Sequence, residues 1–256
     1  MAGLFDLAGK TAIVTGSSRG IGRAIVERMA EQGANVVVSS RKRAACQQVV
    51  DDINGRFGAG RALAVTANIS SKDELKALVD TATGQFGQVD ILVCNAASNP
   101  YYGPMAEIDD DQFRKILENN IIASNWLISS VVPQMKARKD GVIILISSIG
   151  AYKGSPVIGA YCISKAADLQ LARNLAVEYG PYNIRVNCIT PGLVRTDFAR
   201  ALWDDPVYRK ATEDRTPLRR IGEPDEIAGC AVFLASRAGS FMTGQSIIVD
   251  GGATIS

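Results

Sequence analysis

Short, nearly unbroken runs of β-branched and apolar residues recur along the whole 256-residue chain, each followed by a longer stretch of helical periodicity. The runs at Thr11–Thr15, Asn35–Ser39, Ala62–Thr66, Val89–Cys94, Val142–Ser147, Ile184–Ile189 and Ser246–Asp250 lack the apolar–polar alternation of a strand with one wet face. They predict strands covered by helices on both sides, the condition of a parallel sheet. The intervening patterns predict helices over Gly22–Gln32, Arg43–Arg56, Lys72–Phe86, Asp110–Met135, Ala160–Tyr179 and Asp225–Ala235. Local signals agree. Gly33 stands where a helix closes, Ser71 and Glu74 have capping-box spacing, and Pro224 occupies a first helical position. No linker, repeat or low-complexity tract divides the chain, so residues 1–256 are expected to form one α/β domain on a doubly wound, seven-stranded parallel sheet. Only Leu193–Arg220 breaks the alternation. It carries Phe198, Leu202, Trp203 and Tyr208 among charges, and its place after a strand's carboxyl end predicts a substrate lid at about 193–220.

What the chain lacks narrows its chemistry. It contains no histidine, which removes Ser-His-Asp and Cys-His hydrolases, H-E-x-x-H metalloproteases and nearly every catalytic zinc site. No metal centre is expected. A general acid must then be Tyr, Lys, Asp, Glu or Cys. Cys46, Cys94, Cys162, Cys188 and Cys230 are odd in number and contain no C-x-x-C pair, as suits reduced thiols packed as small apolar groups. A net charge of +2 gives no reason to expect nucleic acid or an anionic membrane as partner. Neither a signal segment at Met1–Lys10 nor a membrane-length apolar run is present, and a soluble cytoplasmic protein is expected.

TGSSRGIG, Thr15–Gly22, links the first predicted strand to the first helix. Gly16, Gly20 and Gly22 allow a tight turn and close approach to a pyrophosphate, with the unpaired N–H groups and positive dipole end of the helix aimed at it. The spacing is G-x-x-x-G-x-G rather than the common G-x-G-x-x-G. An acidic residue at the end of the second strand would favour NAD. This chain instead has Ser39-Ser40-Arg41-Lys42, with Arg19 inside the glycine loop. Guanidinium pairs bidentately with phosphate, so NADP(H) is the expected cofactor.

Tyr161 and Lys165 stand one helical turn apart and project from one face. A neighbouring ammonium stabilises a phenolate, and a phenol made more acidic can exchange a proton with an alcohol or carbonyl oxygen. Ser148 offers a hydroxyl to hold that oxygen. Of Ser147 and Ser148 only one can serve, because neighbours on a strand face opposite sides.

These residues resemble the classical short-chain dehydrogenases/reductases over essentially the whole chain. The motifs are TGSSRGIG, CNAA at Cys94–Ala97, Asn120 within ENNIIAS, ISS at Ile146–Ser148, YCISK at Tyr161–Lys165, PGLVRT at Pro191–Thr196 and the tail TGQSIIVDGG. The resemblance implies a Rossmann-type fold and a homotetramer. It implies Tyr161 as acid/base, Ser148 as the group orienting substrate, Lys165 on both the phenol and the nicotinamide ribose, and Asn120 holding a water that links the lysine to solvent. Gly16, Ser18, Arg19, Gly20, Ile21, Gly22, Ser40 and Arg41 are expected at the phosphates and ribose. Asn68 and Ile69 are expected at the adenine, and Asn95, Ala96 and Ala97 along the cofactor. Pro191, Gly192, Val194 and Thr196 are expected to frame the nicotinamide. Three positions depart from the commonest pattern: Cys94 for Asn, Ala97 for Gly and Asn68 for Asp. NAASNPYYG and ISSIGAYKGSP look like the NADPH-dependent carbonyl reductases of the retinal/dicarbonyl branch, which implies an apolar ketone or aldehyde beside Tyr101-Tyr102 and the aromatic lid. That branch can be peroxisomal, but the ATIS ending lacks a Ser-Lys-Leu address. A 3-oxoacyl thioester on acyl carrier protein is the second reading, with Arg195, Arg200, Arg209 and Arg215 as a docking surface. A catalytically silent NADP-sensing protein is the third.

Overall fold

The computed structural model describes residues 3–256. Its strands are β1 (Thr11–Thr15), β2 (Asn35–Ser39), β3 (Ala62–Ala64), β4 (Ile91–Cys94), β5 (Gly141–Ile146), β6 (Ile184–Pro191) and β7 (Ser246–Val249). They form one sheet in the order β3-β2-β1-β4-β5-β6-β7, with every pair parallel. The helices are α1 (Gly20–Glu31), α2 (Arg43–Phe57), α3 (Lys72–Phe86), α4 (Asp110–Leu117), α5 (Ala123–Arg138), α6 (Gly159–Tyr179), α7 (Arg200–Trp203), α8 (Pro206–Arg215) and α9 (Pro224–Ala235). The chain winds outward from β1 to β3, then returns to start the other half at β4. The carboxyl ends of β1 and β4 therefore border the crevice where a doubly wound sheet binds its ligand.

Burial explains the missing alternation in the strands. Ile13 belongs to the core shared with α3, α5 and α6, and its neighbour Val14 to the core shared with α1, α2 and α9. Successive side chains point to opposite faces, and both faces here are dry. Each fully buried Val, Leu or Ile contributes about 1.5–3 kcal/mol.

The boundaries differ from the sequence expectation for local reasons. β3 stops at Ala64, two residues early. β4 begins at Ile91 because Val89 N–H is taken by Gln134 Oε1 at 2.9 Å, while Asp90 accepts Thr11 N–H at 2.9 Å. β6 runs on to Pro191 because β7 pairs with it that far. The capping box at Ser71 is only half made: Ser71 Oγ accepts Glu74 N–H at 3.3 Å, but Glu74 reaches past it to Asn68 N–H at 2.9 Å. A full reciprocal box is found instead at Glu223 and Glu226.

The largest correction concerns the helix expected over Asp110–Met135. It is two helices joined by a π-helical turn at Glu118–Ile122. Such turns insert an extra residue and commonly mark functional positions. Asn119 and Asn120 lie on it, both buried. Residues 193–220 hold α7 and α8, with Phe198 and Tyr208 exposed.

Candidate active site

Every residue singled out near a nucleotide follows the carboxyl end of a strand or sits on the helix that comes next. The glycine loop leaves β1 with Gly16 and Gly20 at φ of 66° and 57°, a backbone that side-chain-bearing residues rarely adopt. A Cβ at Gly22 would lie 2.6 Å from both Gly16 O and Asn95 Nδ2. The loop is held in shape by residues outside the glycine pattern. Ser17, fully buried, donates to Val14 O at 2.6 Å and accepts Ser39 N–H at 2.9 Å, tying the ends of β1 and β2 together. Sequence reading favoured Ser18 and missed Ser17. Thr15 Oγ1 accepts the N–H groups of Asn95 and Ala96, both at 3.1 Å, and Asn95 Nδ2 donates to Thr15 O at 2.8 Å. Asn95 thus spends its side chain on the loop backbone.

The first turn of α1 has no side-chain cap and no acidic residue. By contrast Ser71, Asp109, Asp205 and Glu223 cap α3, α4, α8 and α9. An uncapped, acid-free helix start lined by glycine is a fit for an anion. Of the two arginines expected at an extra phosphate, Arg41 is exposed and makes no ion pair among the described residues. Arg19 is ion-paired with Asp197 at 3.2 Å, both largely exposed. Ser40 braces the β2–α2 turn, its Oγ accepting Lys42 N–H at 3.3 Å and lying 3.1 Å from Cys46 Sγ.

Asn68 Oδ1 already accepts Ser70 N–H at 3.2 Å, which leaves its amide NH2 and one lone pair for other partners. Ile69 packs against the core beneath it, and Ile21 does the same on the other face. Beyond β6, a Cβ at Gly192 would fall 2.9 Å from the Asp250 backbone. Val194 is buried and bridges to Gly222. The Thr196 methyl lies 3.3 Å from where a Gly20 Cβ would be, so this segment closes against the glycine loop. Trp203 donates to Thr196 O at 2.7 Å and stacks under Arg195, which makes it an anchor of the segment. Phe198 instead meets Tyr161, with ring centroids 6.1 Å apart.

Tyr161, Lys165 and Ser148 meet where β5 ends against α6. Ser147 turns into the protein and donates to Lys165 O at 2.8 Å. Ser148 faces outward, its Oγ accepting Gly150 N–H at 3.1 Å and stabilising an ionised Tyr161. Burial pushes the Tyr161 phenol above its ordinary value, against the opposing pull of Lys165 and Ser148. The lysine makes no hydrogen bond to the phenol oxygen. Lys165 Nζ donates to Ile146 O at 2.8 Å and to Asp168 Oδ2 at 3.1 Å, and sits 5.7 Å from the Tyr161 ring centre. Lys165 and Asp168 are both buried, at 4% and 3% side-chain exposure. Burial works against the Lys165 charge, but Asp168 and Tyr161 together hold its pKa above normal.

Asp168 was not anticipated. Its spacing of three from Lys165, on the same helix face, was the available signal. Asn120 does not touch Lys165. Its amide accepts Ser98 N–H at 2.8 Å and donates to Ser98 O at 3.1 Å and Ser164 Oγ at 3.0 Å, fixing the loop after β4 against α6. All five cysteines are free, and burial pushes the Cys94 thiol up to about 12. Among the described residues no helix is long and apolar enough to cross a membrane.

A protein-family profile described as Enoyl-(Acyl carrier protein) reductase matches residues 16–254. The chain is 41% identical over 256 residues to Dehydrogenase/reductase SDR family member 4 of Bos taurus, covering 99% of this chain and 90% of that protein. It is also 41% identical over 249 residues to the Homo sapiens protein of the same name, covering 96% and 88%. Among solved structures, a 7α-hydroxysteroid dehydrogenase complexed with NADH and 7-oxo glycochenodeoxycholic acid superposes with TM-score 0.93 at 39% identity, covering 97% of this chain and 96% of that one. A gluconate 5-dehydrogenase from Burkholderia cenocepacia in complex with NADP and tartrate superposes with TM-score 0.93 at 31% identity, covering 99% and 98%.

Proposed function

Because this chain belongs to the short-chain dehydrogenase/reductase family and is an oxidoreductase acting on CH–OH groups, we propose that it interconverts an apolar ketone or aldehyde and its alcohol by NADP(H)-dependent hydride transfer, with Tyr161 as the acid/base. The observation that carries this reading is the placing of Tyr161 under the joint influence of a buried ammonium and a serine hydroxyl. NADPH, when bound, supplies the hydride.

The chain's own residues do the rest. The glycine loop and the open N–H groups of α1 hold the pyrophosphate, with Ser18 and Ile21 flanking. Arg41, free in solvent, and Arg19, on leaving Asp197, take the extra phosphate. Asn68 and Ile69 border the adenine; Ala96, Ala97, Pro191, Gly192, Val194 and Thr196 border the nicotinamide side. Ser148 and Tyr161 donate to the carbonyl oxygen as charge develops on it, and Tyr161 gives up its proton. Lys165 stabilises the phenolate left behind. Residues 193–220 act as a lid, and Phe198 against Tyr161 favours an apolar substituent at the reacting carbon.

The thioester reading draws on the description of the matching profile, but its docking surface is compromised. Arg195, Arg200 and Arg209 are ion-paired with Glu223, Asp204 and Glu213 at 2.9, 3.4 and 3.6 Å. The exposed apolar side chains Ile163 and Val177 on α6, Ile248 on β7 and Phe241 before it supply material for a homotetramer. Light scattering giving a monomer mass would remove that assignment.

The test is NADPH oxidation across ketones, aldehydes, sugars and acyl thioesters, with Tyr161→Phe alongside. Turnover of apolar carbonyls is expected, with kcat falling about 10²–10⁴-fold in the variant while NADPH still binds. NADPH binding without turnover of any substrate would identify a silent sensor, and wild-type turnover by the variant would remove Tyr161 from the chemistry.

A further inference from the structure

Asp168 is buried beside the proposed reaction centre, and the reaction as outlined does not use it. Its carboxylate reaches Lys165 Nζ at 3.1 Å, and no other side-chain hydrogen bond to it is made among the described residues. A buried carboxylate that serves only packing is costly, since desolvation penalises its charge unless a partner compensates. Here the partner is the ammonium on which the proposed acid/base chemistry depends. The same ammonium also donates to Ile146 O and sits 5.7 Å from the Tyr161 ring centre.

We propose that Asp168 is a positioning residue for the reaction: its carboxylate anchors the Lys165 ammonium and partly cancels its field at the Tyr161 hydroxyl. The proposal rests on the assignment of Tyr161 and Lys165 above. An ammonium alone would pull harder against the burial that raises the phenol. An ammonium three residues from a carboxylate on one helix face acts as a dipole, and the phenol keeps its proton until the substrate oxygen needs it. Burial raises the pKa of Asp168, and the Lys165 ammonium pulls against that rise. Asp168 in turn raises the phenol.

Other titratable groups also face this pair. Tyr161 and Cys162 lie on α6 itself, Cys94 at the end of β4 and Cys188 on β6. Burial pushes the Cys94 thiol up to about 12 and raises the Cys188 thiol as well. Arg173, also on α6, pulls the Cys188 thiol down.

The readout is the near-ultraviolet tyrosinate absorbance of the nucleotide-free protein during alkaline titration. Subtracting the matching curve of a Tyr161→Phe protein isolates Tyr161 from the other six tyrosines. In Asp168→Asn the Tyr161 midpoint is expected to move down by about one pH unit, a tenfold change in its ionisation. Asp168→Glu, which keeps the charge, is expected to stay near wild type. An unmoved midpoint in Asp168→Asn, or equal shifts in Asn and Glu variants, overturns the proposal. If Asp168→Asn fails to fold, the comparison passes to Lys165→Met and Lys165→Met/Asp168→Leu. The double variant is expected to titrate lower, since only the single one keeps a bare carboxylate; identical midpoints overturn the idea. None of these readings needs turnover, so they stay separate from a failure of the enzyme assignment, which the Tyr161→Phe kinetics report.

Discussion

Two ion pairs of almost equal length have opposite meanings. Lys165 and Asp168 are 3.1 Å apart and sealed from water; Arg19 and Asp197 are 3.2 Å apart and more than half exposed. Distance therefore says little about either. In the interior each charge has surrendered its hydration and depends on the other, so removing one strands its partner. On the surface water screens the contact, and either residue can leave for a better ligand. Under the function proposed above, the first arrangement would keep a reaction centre's geometry and the second would free a rim for a nucleotide.

The contrast can be broken at several points. The largest effect is expected from Lys165→Met, which leaves Asp168 buried and alone. It should cost about 3–5 kcal/mol in urea unfolding at neutral pH, and a loss below 1 kcal/mol would show that the interior pair is not sealed. Next comes Gly22→Ala, whose Cβ would press on Gly16 O and Asn95 at 2.6 Å. A destabilisation of about 1–3 kcal/mol by thermal melting, with weakened nucleotide affinity by calorimetry, is expected. Arg41→Asp should raise the Michaelis constant for NADPH roughly tenfold to a hundredfold, the value of a charge-assisted hydrogen bond; an unchanged constant would sink the phosphate assignment. Asp197→Asn should change stability by less than about 1 kcal/mol while freeing Arg19, so NADPH affinity should rise rather than fall.

Acidity sharpens the same comparison. The Lys165 pKa is raised above its ordinary 10.5 in the folded protein. The stability it contributes is fully present below that value and is lost as pH climbs through the raised pKa. A melting-temperature profile should therefore decline on the alkaline side, and in Asp168→Asn the decline should begin at lower pH.

The sequence exposed features that rest on periodicity. Runs such as Ile143–Leu145 show no alternation because both faces of the sheet are dry, and Tyr161 and Lys165 fall one turn apart by spacing alone. It hid what depends on where a side chain ends up. The contact of Lys165 with Ile146 O is a matter of tertiary approach, not of order along the chain. Ser17 and Ser18 are indistinguishable as letters, yet one is fully buried between two strands. The break at 118–122 lies in the backbone hydrogen bonding, which the order of residues does not display.

That break has a geometric consequence. A π-helical turn winds more residues per turn than an α-helix, so neighbouring side chains diverge less. The wider turn lets Asn119 reach Ser70 and Ser98 while Asn120 reaches Ser98 and Ser164. Two adjacent rungs thus stitch three separate strand–helix units into one frame. Removing a single residue here would put the downstream helix out of step with its neighbours, and the seam would come undone at both stitches together.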